Sequence, residues 1–177
     1  MLTAADLARM PRSELASMIR AGGPVDPDAI ADTEYRGVSL GLPRIFDRIA
    51  WKTFKKVFFR EPASQTLRGW NVRIEQTGVD PPFRPKMRRG ERVTFGHYGV
   101  HVQEQGLLLD YGRFGRGLDP MRFARDPVIA VRAGDVALLL GMTYLDMPWG
   151  RMATPSFFSL ELDGPLTHRA RPRPARD

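Results

Sequence analysis

Seven aromatic and polar residues in the central part of the chain have the composition of a ligand pocket. If the strand-like segments that carry them close into a barrel, their polar tips would orient a ligand among apolar neighbours. The candidate ligand-binding residues are Trp70, His97, Tyr98, Asp110, Tyr111, Arg113 and Tyr144. The same residue types also fill solid sheet cores with their polar tips hydrogen-bonded, which is the plainer interpretation.

Three of these residues carry groups that take part in acid-base chemistry. Asp110 follows the apolar run 107–109, and burial beside such a run raises the pKa of a carboxyl group toward the range of a general base. Asp110, Tyr111 or His97 would then act as acid or base in a small cofactor-free enzyme of the isomerase, cyclase or hydrolase type. On the sequence alone, a binding protein and an enzyme remain alternatives.

Motifs for nucleophilic and metal chemistry are weak. Residues 37–41 match the G-x-S-x-G pattern of a nucleophile elbow, but too few strands precede Ser39 for an α/β hydrolase. His97 and His101 fall in one strand-like run, which separates them by about 13 Å on one face, too far to share a metal ion unless a bulge at Gly99 shortens the distance. Cysteine is absent, which excludes zinc fingers and disulfides. We therefore expect no metal and no cofactor.

A second group of candidate residues is cationic and spaced by four. From Pro43 to Phe58 apolar residues recur at steps of three and four, which predicts an amphipathic helix over residues 43–61. One side of that helix would carry a cationic stripe formed by Arg44, Arg48, Lys52, Lys56 and Arg60. Such a helix fits an anionic membrane surface, although a helix packed on a sheet with a solvated basic face has the same pattern.

Positive charge is concentrated in three segments. The 177 residues include 27 basic and 20 acidic side chains, a net charge of +7. Segments 44–60, 84–92 and 167–177 together hold more positive charge than this total, so the rest of the chain is acidic. No helix-turn-helix or RNP-like pattern accompanies them, so nucleic acid is not the expected partner. Nothing in the sequence sets the oligomeric state.

The elements that would position these residues change type along the chain. Thr3 with Asp6 has the pattern of a capping box, and residues 1–33 predict a helical N-terminal segment. Beyond Pro62, six runs separated by turn residues predict antiparallel strands: 70–74, 93–102, 107–111, 128–131, 136–144 and 157–162. The predicted fold class is α+β, in which one long amphipathic helix precedes an antiparallel, barrel-like sheet at 67–163. The predicted domain spans 34–166, followed by a disordered basic tail at 167–177.

Two of the predicted strands are apolar on both faces. Residues 107–109 and 136–140 lack the alternation of a sheet with one solvent-exposed face, so apolar groups must cover both faces of these strands. The helix would cover one side, and a packed core or an apolar cavity would occupy the other. We hypothesise that a hydrophobic small molecule or lipid binds between sheet and helix and that the basic helix delivers it to an anionic membrane. A third hypothesis is an interaction module without a pocket.

Several short blocks resemble a group of uncharacterised bacterial proteins. They are Glu34–Gly37, Phe54–Phe59, Gly69–Val72, Leu107–Gly112 and Leu138–Gly141. The strand-rich part also resembles a calycin or lipocalin-like barrel, which implies small apolar ligands and assigns no functional residue. Because the sequence has neither a signal-peptide pattern nor a transmembrane stretch, the expected location is the cytoplasm, with peripheral membrane association following from the helix hypothesis.

Overall fold

Strands dominate the protein in a computed structural model that describes residues 2–40, 52–79, 82–115 and 119–170. The helices are α1 (Ala4–Arg9), α2 (Arg12–Ala21) and α3 (Pro27–Ile30), with a 3₁₀ turn at Pro120–Phe123. The strands are β1 (Thr33–Leu40), β2 (Thr53–Arg60), β3 (Leu67–Val72), β4 (Met87–Arg88), β5 (Glu91–Arg92), β6 (Thr94–Gln103), β7 (Gly106–Asp110), β8 (Ala124–Arg132), β9 (Asp135–Met147) and β10 (Gly150–Pro165). Among the described residues no helix is long and apolar enough to cross a membrane.

Eight of the strands form a closed antiparallel barrel in the order β1-β2-β3-β6-β7-β8-β9-β10. Each strand pairs with its neighbour in this order, and the pairing of β1 with β10 closes the barrel. Strands β4 and β5 form a separate two-stranded hairpin between β3 and β6. In this closed order every strand of the barrel has a hydrogen-bonded neighbour on each side. The predicted barrel is confirmed.

The predicted long amphipathic helix is wrong, and with it the α+β class, because residues 53–60 form strand β2. Phe54 and Phe58 face the interior core, whereas Val57 and Phe59 belong to a cluster on the outer face. A strand buried on both faces has apolar residues at steps of three and four as well as two, so its pattern resembles that of a buried helix. Residues 43–51 of the predicted helix lie outside the described residues.

The two ends of the barrel differ in how they are covered. At one end, the closed end, short connections join β2 to β3, β6 to β7 and β8 to β9. There α3 precedes β1, and Val25 and Ile30 pack into the interior core. At the other end, the loop end, the longer connections β1–β2, β3–β6 and β7–β8 meet, together with the β9–β10 turn. The N-terminal segment therefore plugs one end of the barrel.

Other segments cover the outer face of the barrel. Leu7 of α1 and Leu15 of α2 pack with outward-facing residues of β1, β8, β9 and β10, including Leu140. Near the C terminus, Leu166 and Ala170 pack on the outer face of β2 and β3. Strand β9 is apolar on both faces because Leu139 points into the core while Leu140 lies beneath the helices. Helices α1 and α2 therefore provide the apolar cover that the sequence predicts for the outer face of β9.

Candidate functional site

A buried lysine lies inside the barrel in its loop-end half. The Lys56 side chain is 2% exposed, and its Nζ donates to Tyr111 Oη at 2.8 Å and to Asp126 Oδ2 at 3.1 Å. Four aromatic ring centroids surround Nζ at distances of 4.8 to 5.8 Å. We call this group the aromatic box, which consists of Lys56, Asp126, Phe54, Tyr98, Tyr111 and Phe158.

Hydrogen bonds occupy both carboxylate oxygens of Asp126. Oδ2 accepts from Tyr111 Oη at 2.6 Å as well as from Lys56, and Oδ1 accepts from Thr143 Oγ1 at 2.8 Å. The Tyr98 hydroxyl donates to the Val57 carbonyl at 2.7 Å. Removing an ion pair from water is costly, and these bonds together with the negative faces of the rings offset that cost. The box therefore holds one cation and one anion, both buried and both hydrogen-bonded.

Glycines on neighbouring strands make room for three of the rings. The cross-strand pairs are Gly37 with Phe54, Gly69 with Tyr98, and Gly141 with Phe158. A Cβ atom on these glycines would lie 2.2 to 2.6 Å from the nearest ring atom of the partner. Because real Cβ atoms do not approach so closely, only glycine lets each ring lie against the opposing backbone. The box is thus built by three glycine–aromatic pairs in adjoining strands.

Burial shifts the pKa values inside the box in opposite directions. It lowers the pKa of the Lys56 ammonium, while the neighbouring Asp126 charge acts to raise it. Burial also raises the pKa of Tyr98 and Tyr111 well above 10.0, and the Asp126 charge adds to that increase. Both phenols consequently stay protonated as hydrogen-bond donors, and Lys56 releases its proton more readily than an exposed lysine.

Two of the seven predicted ligand-binding residues, Tyr98 and Tyr111, lie together in the box. Trp70 and His97 pack against each other on the outer face of the barrel, with ring centroids 6.0 Å apart. They lie on strands whose side chains alternate between inside and outside, and they occupy the outside positions.

The remaining three predicted ligand-binding residues also lie outside the barrel interior. Asp110 accepts from the Gly112 N–H at 2.6 Å and pairs with Arg125 at 3.2 Å. The Tyr144 ring lies beneath the guanidinium of Arg151, and Arg113 is exposed. The structure therefore does not bring the seven residues into one pocket.

The predicted cationic stripe does not form a common surface in the described residues. Lys52 is exposed, Lys56 is buried in the box, and Arg60 at the closed end pairs with Asp28. Arg44 and Arg48 lie outside the described residues. Residues four apart share one face of a strand as they do of a helix, but in β2 that face is the barrel interior, so Lys56 is buried instead of facing a membrane.

Asp126, Phe54 and Phe158 are box residues that the sequence did not single out. A period of two through β2 places Phe54, Lys56 and Phe58 on one face, and this was the signal available for Lys56. No local pattern marks Asp126, since its partner Lys56 lies 70 residues away in sequence. Only the barrel closure brings the two charges together.

A second buried charge cluster lies on the outer face of the barrel. Glu34 accepts from Lys55 Nζ at 3.1 Å, from Arg92 Nη1 at 2.8 Å and from the Thr167 N–H at 3.1 Å. Lys55 also pairs with Asp163 at 2.6 Å. Burial acts to raise the pKa of Glu34, but the hydrogen bonds from Thr167 and Lys55 outweigh it and hold the pKa below its usual value. We call these five residues the outer network.

Metal ligands are not clustered in the part of the chain that the structure describes, where no three histidine or acidic side chains are placed to hold an ion. No protein-family model, no curated protein and no solved structure matches the chain at a significant level. The resemblance to the bacterial group therefore has no support from these comparisons, and the fold supports the barrel resemblance alone.

Proposed function

We propose that the protein binds a small, neutral and mainly apolar molecule inside the barrel, where Lys56 donates a hydrogen bond to an oxygen of the ligand. The observation that carries this proposal is the buried ammonium of the aromatic box. Nζ donates two hydrogen bonds to protein oxygens and turns its remaining side toward aromatic rings. An ammonium has three donors, so Lys56 retains one donor for a ligand oxygen that would take the place of a ring contact.

Charge balance favours a neutral ligand over an acidic one. Asp126 already compensates Lys56, so a carboxylate ligand would place two anions beside one cation in a region of low dielectric. A carbonyl or ether oxygen accepts a hydrogen bond without changing the net charge, and the surrounding rings pack against an apolar body. A ketone, ester or similar lipid-like molecule meets both conditions.

The two barrel ends are covered differently, and this difference supports ligand entry from the loop end. Val25 and Ile30 fill the closed end and are almost fully buried. At the loop end the half-buried Met121, carried by the 3₁₀ turn, packs on the interior core. A methionine side chain is flexible and adapts to new neighbours, so its displacement would open a path toward the box.

Two fluorescent probes test the proposal. One is 6-propionyl-2-dimethylaminonaphthalene, a neutral aromatic ketone, and the other is diphenylhexatriene, a hydrocarbon without an acceptor. In the double variant Lys56→Met/Asp126→Asn, which removes both box charges, the dissociation constant of the ketone should rise about tenfold because a charged donor is lost. The affinity for the hydrocarbon should stay unchanged. Fluorescence titration measures both.

Lys52→Met provides the matched control, because Lys52 is exposed immediately before β2 and its loss should change neither affinity. If the double variant lost the same affinity for both probes, the box would shape the barrel interior without donating a hydrogen bond to the ligand. If the wild-type protein bound neither probe, ligand binding itself would be overturned.

Catalysis in the same interior is the second candidate, because Tyr111 connects Lys56 with Asp126 through two short hydrogen bonds. Such a chain of groups is able to move a proton to or from a bound substrate. Mass spectrometry of a molecule that copurifies with the protein separates the two functions. An unchanged mass after incubation and release supports binding, and conversion supports catalysis.

A further inference from the structure

A cavity lies on the outer wall of the barrel, where the start of the chain meets the closed-end turn between β8 and β9. Its volume is about 370 Å³, which is within the range of small-molecule sites. Most of its lining is apolar and consists of Leu2, Ala4, Val131, Ala137 and Leu138. Leu2 is 42% exposed and Ala137 is also exposed, so the cavity is open to solvent and has an apolar mouth.

A smaller cavity adjoins the first one. It has a volume of about 60 Å³ and lies against β1 and β10, where Val79 and Phe83 from the connection between β3 and β6 line it. Ala4 and Glu161 line both cavities, so the two cavities meet at these side chains. The Glu161 side chain is 51% exposed. Its movement toward solvent would break only a partly exposed ion pair with Arg36, and would widen the passage between the cavities.

The smaller cavity is lined by a buried hydroxyl group without a partner. Ser159 in β10 is 1% exposed, and among the described residues no group forms a hydrogen bond with its Oγ. Leaving a buried polar group unsatisfied costs free energy, so folded proteins rarely retain one without a reason. The cavity is larger than a single water molecule requires, so it admits a polar head of several atoms. Ser159 therefore offers a hydrogen bond to a ligand in this cavity.

The charges beside Ser159 favour a neutral head group. Arg36 and Glu161 both line the smaller cavity, and they pair with each other at 3.3 Å. Arg36 also faces Asp163 at 3.5 Å, so carboxylates already compensate its charge. An anionic head would meet these carboxylates, and an ammonium head would meet the guanidinium. A hydroxyl head avoids both repulsions, and it donates and accepts hydrogen bonds as Ser159 does.

We propose that the two cavities together bind an aliphatic alcohol, whose hydroxyl bonds to Ser159 and whose alkyl chain lies in the larger cavity. We call this site the β10 groove, after the strand that carries Ser159 and Glu161. Val131 and Leu138 are only partly buried, so an alkyl chain packed on them removes apolar surface of both ligand and protein from water. The β10 groove lies outside the barrel interior, so it stands apart from the function proposed above.

Photolabelling with 3-azioctanol, an octanol that carries a photoreactive diazirine, tests the β10 groove. Illumination attaches the probe to the residues beside it, and mass spectrometry of proteolytic peptides locates the attachment. Labelling of the full-length protein should saturate and should map to residues 2–4, 131–138 or 159–161. Unlabelled 1-octanol should compete with the probe, and octanoate and octylamine should compete about tenfold less well because each carries a charge.

Two variants separate the polar and apolar parts of the β10 groove. Ser159→Ala should raise the half-saturating probe concentration about fivefold, because one hydrogen bond to the ligand is lost. Its urea midpoint should not fall, since the hydroxyl has no partner among the described residues. Ala137→Phe should reduce labelling about tenfold by filling the larger cavity. Circular dichroism checks that both variants keep the barrel.

Matched controls are available for both substitutions. Ser64→Ala changes an exposed serine between β2 and β3, and Ala153→Phe changes an exposed alanine of β10 that lines neither cavity. Both should be labelled as the wild type is. Labelling confined to residues of the barrel interior would overturn the proposal, as would normal labelling of Ser159→Ala or of Ala137→Phe. Stronger competition by octanoate than by 1-octanol would overturn the assignment of a neutral head group.

Discussion

Lys55 and Lys56 are neighbours in β2, yet they occupy two different kinds of charged site. Lys55 belongs to the outer network, where Glu34 and the partly exposed Asp163 both face it. Lys56 faces one carboxylate, that of Asp126, and is otherwise surrounded by rings. Outside the barrel, two carboxylates compensate Lys55, and one of them is partly exposed to solvent. Inside the barrel, Lys56 and Asp126 compensate only each other. Loss of either charge should therefore lower the stability of the fold more than loss of a charge in the outer network does.

The largest expected effect comes from removing one charge of the inner pair. Lys56→Met or Asp126→Asn alone should lower the free energy of unfolding by about 3 kcal/mol, because the partner remains buried without compensation. The double variant should recover most of this loss. Urea unfolding of the four proteins forms a double-mutant cycle that gives the coupling.

In the outer network, Asp163→Asn is the corresponding change and should cost less than about 1 kcal/mol, since Glu34 still faces Lys55 and Asp163 is 27% exposed. Additive single effects in the inner cycle would contradict the view that Lys56 and Asp126 act as a pair. If Asp163→Asn lowered the free energy of unfolding more than Lys56→Met or Asp126→Asn does, the inner pair would not be the more sensitive of the two sites.

A smaller loss is expected from filling one of the glycine sites of the box. The added methyl group of Gly69→Ala would meet the Val57 carbonyl oxygen at 2.0 Å and the Tyr98 ring at 2.6 Å. The strain should cost about 2 kcal/mol in urea unfolding. Gly99→Ala is the control, because the nearest atom there is 3.8 Å away and the cost should be near zero. If Gly69→Ala and Gly99→Ala lowered the free energy of unfolding equally, the close contact with the Tyr98 ring and the Val57 carbonyl would not be the cause of the loss.

Acid pH should act on the outer network through Glu34. Its pKa lies lower in the folded protein than the usual 4.5, so its stabilisation is complete above that value and is lost as the pH falls through the folded pKa. Glu34→Gln should lower the free energy of unfolding by about 2 kcal/mol at neutral pH. The difference from wild type should shrink in acid. A constant difference between the two proteins across the acid range would argue against this assignment.

The smallest expected effect is an alkaline dependence produced by Lys56. Its pKa is lowered by burial, so between that value and 10.5 the unfolded chain binds more protons than the folded protein. The free energy of unfolding of the wild type should therefore rise with pH in this window relative to Lys56→Met/Asp126→Asn. Measurements below pH 10 avoid titration of the tyrosines in the unfolded chain. If the difference in unfolding free energy between the wild type and the double variant did not change with pH, Lys56 would keep its proton across this range.

Strands with a clear local pattern were the predictable part of the fold. The six predicted runs correspond to β3 and to β6 through β10, because turn residues separate segments of suitable length. The capping box of Thr3 and Asp6 is present at the start of α1. Strands β1, β4 and β5 were not predicted, and β2 was assigned to a helix. In β2 both faces are buried, which removes the alternation that distinguishes a strand.

The sequence by itself determined the absence of cysteine chemistry, the helix caps, most of the strands and the location of the basic segments. Only the tertiary structure decided that Lys56 points inward and Lys55 outward, and that Tyr98 and Tyr111 lie inside while Trp70 and His97 lie outside. A strand places alternate residues on opposite faces, but when both faces are buried nothing local shows which of them is the interior. Barrel closure makes that choice, and it also brings Asp126 to Lys56 across 70 residues of sequence.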